Sequence, residues 1–267
     1  MAFFNDAISY LGQITLLVVL FRFTAANTAR VLWLIAGTSS LAVMACLFKL
    51  DRFSLSRTTL LTVSRKHWIF SRWLLAAALM QWTSGNYFII GAGSILGPAS
   101  AGALKASQNI MGISHIIFQG MENIVPARAS YCYHQGGWAK LFTYLKKVTG
   151  WGGAFTAIIV LLAIVFPSFW MGTLYGSEYE AYSYVLQWYG GIYILIFLGL
   201  PLRAGLRAME YSKPIFISYC LMTVFTAATA NFFIRKFGLT GATAGIFATQ
   251  MICQTNLAYA LWRKKDK

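Results

Sequence analysis

Apolar runs of about 20 residues recur along the chain, separated by short basic connectors, and a run of that length is what a helix needs to cross a bilayer. Eight such runs are found, at residues 4–21, 31–49, 73–96, 101–125, 150–170, 181–200, 214–233 and 241–262. The first is interrupted by Asn5, Asp6, Ser9, Tyr10 and Gln13. The expected fold is therefore all-α, a polytopic membrane protein with about eight transmembrane helices. All five prolines (Pro98, Pro126, Pro167, Pro201, Pro214) are expected at or near helix ends, where the missing N–H does least harm. Trp73, Trp151, Trp170 and Trp262 fall near the expected interfaces, as an aromatic belt would.

Composition agrees. Of 267 residues, 58% are hydrophobic and 11% charged, with mean hydropathy +0.61. Soluble domains carry about 25% charged residues, so an ordinary soluble enzyme is excluded. The net charge of +15 does not indicate nucleic acid. Its Lys and Arg residues lie in connectors rather than on one soluble face. Most fall on one side, at 49–72, 128–147, 203–213 and 263–267; Arg22, Arg30, Lys105, Arg235 and Lys236 fall on the other. By the positive-inside rule both termini are expected in the cytoplasm. The outer connector Tyr175–Glu180 has two acids and no base, which fits. The N-terminus lacks a basic run and carries Asp6, so it does not read as a cleaved signal. Cys46, Cys132, Cys220 and Cys253 show no paired spacing and suggest neither a disulfide framework nor zinc.

The connector at 51–72 is the longest polar stretch and the natural boundary between two bundles. The segment 138–148 alternates Leu141, Phe142 and Leu145 with Lys140, Lys146 and Lys147, as a short amphipathic helix on the inner leaflet would.

One polar stripe stands out. Lys105, Gln108, Gly112, His115, Gln119 and Glu122 follow one another at steps of three or four residues, within about 100° of one helix face. Ionisable groups at bilayer depth cost several kcal/mol unless they face protein or water. The stripe is read as the wall of a cavity for a polar, anionic substrate; the alternative is a helix interface glued by polar side chains. Lys105 would supply charge, His115 could titrate, and Glu122 could carry a proton or pair with a base. In the third run, Gln81-Trp82-Thr83-Ser84-Gly85-Asn86-Tyr87 is a polar break suited either to sugar rings or to tight packing, with Gln81 and Asn86 as candidate ligands. Asp6 is a possible coupling-ion ligand, more simply an interfacial acid. Thr223, Thr226, Thr229, Gln250 and Gln254 either line the same cavity or bond between helices. Gly241 and Gly245 permit close helix approach. Paired acids, metal spacing, a nucleophile elbow and a phosphate loop are all missing, so no enzyme and no cofactor is expected.

Several short motifs, in order, resemble the polysaccharide flippases of the multidrug/oligosaccharidyl-lipid/polysaccharide (MOP) transporter superfamily, the O-antigen and exopolysaccharide translocases. Gly85-Asn86-Tyr87-Phe88-Ile89-Ile90 with Leu96-Gly97 and Ala101-Gly102-Ala103 looks like the family's seventh helix and its turn into the eighth. Pro126 with Ala129 and Ser130 resembles the end of the eighth. Leu174-Tyr175-Gly176-Ser177-Glu178-Tyr179 resembles the outer loop before the tenth, and Phe237-Gly238-Leu239-Thr240-Gly241-Ala242 the turn before the twelfth.

The resemblance implies two six-helix lobes around a central cavity, alternating access, and a lipid-pyrophosphate-linked oligosaccharide as cargo in a bacterial inner membrane. Lys105, Arg22 and Arg30 would be the cations available to its pyrophosphate. On this alignment residues 1–50 hold the last two helices of the first lobe, 51–72 the cytoplasmic interlobe loop, 73–262 the complete second lobe and 263–267 a basic tail. The remaining helices of the first lobe would come from a partner chain or from a longer form of this one. Membrane lipids and other polysaccharide-assembly proteins are further expected partners. A cation-coupled multidrug exporter of the same superfamily would want more cavity acids. A membrane-embedded glycan-assembly enzyme would want a large outer loop.

Overall fold

The computed structural model describes residues 10–23, 27–47 and 57–265. Among these the chain is almost wholly helical, with no strand. In chain order come α1 (Gly12–Phe23), α2 (Thr28–Leu47), α3 (Arg57–Leu96), α4 (Pro98–Met111), α5 (Ile113–Val165), α6 (Pro167–Tyr175), α7 (Ser183–Ala208) and α8 (Lys213–Lys265), with a 3-10 helix at Ser177–Tyr182. Three stretches, Ile113–Val165, Ser177–Ala208 and Lys213–Lys264, are long and apolar enough to cross a membrane. Gly12–Arg22 and Thr28–Met44 are shorter apolar helices.

The chain divides into two compact units, Met1–Ile69 and Phe70–Lys267, the division falling inside α3. In the first, Gln13 Nε2 donates to Ser39 Oγ at 3.4 Å, joining α1 to α2, while Trp33 and Leu41 point outward. From Arg57 onward the polar stretch at 51–72 is helix, continuous with the third apolar run. It contains no proline or glycine to break it, and polarity alone does not end a helix.

Glycines bend the two 53-residue helices. α5 turns at Gly136 and Gly137 (φ 58°, ψ −151° at Gly137), and α8 at Gly238 (φ 59°, ψ −139°). Those backbone angles are essentially closed to residues with a Cβ. Proline behaves less uniformly than its expected role as punctuation. Pro98 and Pro167 open α4 and α6, but Pro126 lies inside α5 and Pro201 inside α7. Membrane helices tolerate this because neighbouring groups satisfy the backbone that proline frees. The sixth run accordingly continues past residue 200 to Ala208, which moves Arg203 and Arg207 from a connector into α7.

The second unit holds two buried apolar clusters. One joins Phe88, Leu104, Met111, Phe118, Tyr193, Phe197 and Ile234; the other joins Leu141, Leu145, Leu206, Leu257 and Leu261. Leu141 and Leu145 thus pack into protein, while Lys140, Lys146 and Lys147 stay exposed. The segment 138–148 is the start of the second arm of α5 rather than a separate helix. Large apolar side chains on that arm (Phe155, Ile158, Leu161, Leu162, Val165) are exposed, while Ser107, Thr156, Ser218, Thr226 and Thr249 are buried. Apolar residues outside and small hydroxyls inside suit a lipid-facing surface and hydrogen-bonded helix contacts.

Candidate functional site

The upper part of the polar stripe is organised by a break in the helix. At Gly112 the backbone tightens: its N–H turns to Asn109 O and the His115 N–H to Gly112 O, both at 2.9 Å. These i→i+3 bonds leave the Gln108 carbonyl without its usual donor four residues on. Tyr193, from α7, supplies the replacement, its hydroxyl reaching Gln108 O at 3.2 Å. The same hydroxyl lies 3.0 Å from His115 Nε2. A phenol has one proton. With that proton on the Gln108 carbonyl, His115 must donate through Nε2–H to the phenol oxygen. An edge contact with Phe118 (centroids 5.8 Å apart) further fixes the imidazole.

Lys105 continues the network. Its Nζ donates to Gln108 Oε1 at 2.9 Å and to Asn86 Oδ1 at 3.4 Å, and Asn86 Nδ2 donates to Trp82 O at 2.9 Å. A polar chain therefore runs from Asn86 in α3 through Lys105 and Gln108 in α4 to Tyr193 in α7 and His115 in α5. Beside it lies a cavity of about 210 Å³ whose polar walls are Gln81, Gln108, His115, Arg203, Tyr219 and Gln250, with Gly85, Tyr189 and Tyr193. Among the described residues, no acid lines it.

Of the cavity residues expected from the sequence, Gln81, Gln108 and His115 line this cavity, while Lys105 and Asn86 do not line it and connect to it through Gln108. Gln119 is exposed and does not line this cavity. Glu122 does not line it either; it sits in an adjoining small cleft and pairs with Arg203 at 3.4 Å. Asp6 lies outside the described residues. Arg22 and Arg30 are exposed residues of the first unit. Of the further candidates, Gln250 lines the cavity. Thr223 donates to Met80 O at 3.0 Å and Thr226 bonds Thr249 at 3.4 Å, so these hydroxyls tie helices together. Gly245 brings α8 against the ring of Phe88. Arg203 was missed, because Pro201 reads in sequence as the end of a helix; the signal available was its spacing of seven and eleven residues from Ile196 and Ile192, the same face of α7.

No metal-holding cluster of His, Cys, Asp and Glu occurs among the described residues. Chemically, the site can hydrogen-bond hydroxyls through the carboxamides of Gln81, Gln108 and Gln250, offer the half-buried Tyr219 to an apolar ring face, and attract negative charge through Arg203, with Lys105 beside it. No protein-family model, curated protein or solved structure matches this chain.

Proposed function

We propose that this chain translocates a lipid-pyrophosphate-linked oligosaccharide across the bacterial inner membrane, for surface polysaccharide assembly, as a MOP-type flippase working by alternating access. The observation that carries the reading is a polar cavity, lined by no acid among the described residues, whose walls include all three helices long and apolar enough to span a bilayer. Carboxamides beside tyrosines are what a sugar needs: donors and acceptors for its hydroxyls, aromatic faces for its C–H surface. Arg203 on the cavity wall, with Lys105 bonded to the lining residue Gln108, suits an anionic linkage, whereas a cation-coupled exporter would want acids there.

In this reading the kinks at Gly137 and Gly238 divide α5 and α8 into two spans each. The first span of α5 continues the run from α4, so with α1, α2, α3 and α7 that makes the eight spans expected, both ends lying in the cytoplasm. The facing cavity wall comes from a partner chain or from further sequence of this one. Lys105 attracts the anionic linkage, and the carboxamides below it guide the glycan.

The test is deletion of the gene in its source cell, followed by assay of surface glycan and of extracted lipid-linked oligosaccharide. Lost surface glycan with completed lipid-linked units retained on the cytoplasmic leaflet is the expected result. Normal glycan with no retained intermediate would overturn the reading.

A further inference from the structure

Arg203 lines both the cavity and the cleft that holds Glu122, and its side chain is only 14% exposed. A guanidinium carries five N–H donors in a planar fork and never loses its charge. Among the described residues its one hydrogen-bonding partner is Glu122, through a single Nη2···Oε1 contact of 3.4 Å. Good guanidinium–carboxylate pairs are two-pronged and shorter, about 2.7–2.9 Å. Glu122 is moreover 52% exposed, so water competes for it. A mostly buried cation is thus held by a loose, replaceable counter-ion.

The surroundings favour an anion in its place. Arg207 lines the same cleft, so two guanidiniums face one carboxylate. A second acceptor stands near Arg203 Nη1: Gln254 Oε1 is buried and has no hydrogen-bond partner. Gly199 leaves the space between them, since a Cβ there would meet Gln254 Oε1 at 2.6 Å and Arg203 Nη1 at 2.8 Å.

We propose that Arg203 is an oxyanion-binding residue of the cavity, and that Glu122 is a resident counter-ion which a phosphate- or carboxylate-bearing ligand displaces. On exchange, one edge of the guanidinium takes the ligand in two-pronged fashion while Nη1 turns to Gln254 Oε1. This rests on the cavity being the cargo path, and adds where the cargo's charge is read and what it must displace.

The test is calorimetric titration of the full chain, in nanodiscs of zwitterionic phosphatidylcholine, with inorganic pyrophosphate as the probe. Saturable binding is expected, weakened tenfold or more by Arg203→Gln, less by Arg203→Lys, and tightened several-fold by Glu122→Gln. No binding by the wild type, unchanged binding by Arg203→Gln, or weaker binding by Glu122→Gln would each overturn the proposal. Repeating the titration in nanodiscs containing phosphatidic acid separates two sources of the same chemistry. Loss of pyrophosphate binding there assigns the site to a lipid headgroup, and unchanged binding assigns it to a soluble or cargo anion; both support an oxyanion site. The flippase reading fails separately, in the gene-deletion assay, which does not depend on Arg203.

Discussion

The hydroxyl of Tyr193 occupies the hydrogen-bonding position that a helical N–H would fill at the carbonyl of Gln108, 3.2 Å away. One side chain from α7 therefore repairs a break in the α4–α5 run and orients His115 with the same oxygen. Tyr193 is 1% exposed, so packing holds its hydroxyl in place between the two.

Tyr193→Phe removes both bonds while keeping the ring and its packing on Phe118. It should destabilise the protein by about 1–2 kcal/mol, the range for a buried polar group left unpaired. Thermal unfolding of the purified protein in detergent measures this. An unchanged midpoint would mean that the Gln108 carbonyl has another donor.

Lys105 has the opposite character: it is exposed, and its two bonds are to carboxamide oxygens that can find other donors. Lys105→Ala should change stability by less than about 0.5 kcal/mol. Transport should fall roughly ten- to a hundredfold, the worth of a charge-assisted contact to an anionic cargo. Transport equal to wild type in proteoliposomes, at equal protein level, would remove Lys105 from the cargo path.

How far the sequence foretold these features depends on which interactions encode them. The stripe was legible because helical spacing is local: Lys105, Gln108 and His115 must share a face wherever the helix goes. Tyr193 was not, since nothing in its own run (Gly191-Ile192-Tyr193-Ile194) marks it as the partner of a carbonyl 85 residues away. Glu122 was correctly placed on the stripe but assigned to the cavity, because its partner Arg203 was hidden behind Pro201. Helix ends at Pro98 and Pro167 followed from lost N–H groups, whereas Pro126 and Pro201 depend on tertiary neighbours that a linear reading cannot supply. Gly238 was seen as a turn residue, and it is one, in a backbone conformation that only its own lack of a side chain permits.

Gly245 and Phe88 provide a test of helix packing. A Cβ on Gly245 would fall on the ring of Phe88, which is fully buried. Gly245→Ala should cost about 1–3 kcal/mol by overpacking. Phe88→Leu, which withdraws the ring, should recover part of that loss in the double variant, so the two effects will be markedly non-additive. Strict additivity of the unfolding free energies would show that α3 and α8 do not approach through this pair.

Gly238 and Gly120 separate backbone geometry from crowding, because at neither does any atom beyond the adjacent residues and the helix's own backbone come within 4 Å of where a Cβ would stand. They differ in conformation alone: Gly238 has φ 59° and ψ −139°, while Gly120 continues the regular helix of α5. Gly238→Ala should therefore destabilise by about 1–3 kcal/mol, the cost of a side chain in a region reserved for glycine. Gly120→Ala should be neutral or stabilise by about 0.5–1 kcal/mol, since alanine loses less entropy in a helix. Unfolding midpoints of the two variants measured side by side give the answer. If Gly238→Ala proves as harmless as Gly120→Ala, residues 213–265 form one straight helix, and the two-span reading of α8 fails with the kink.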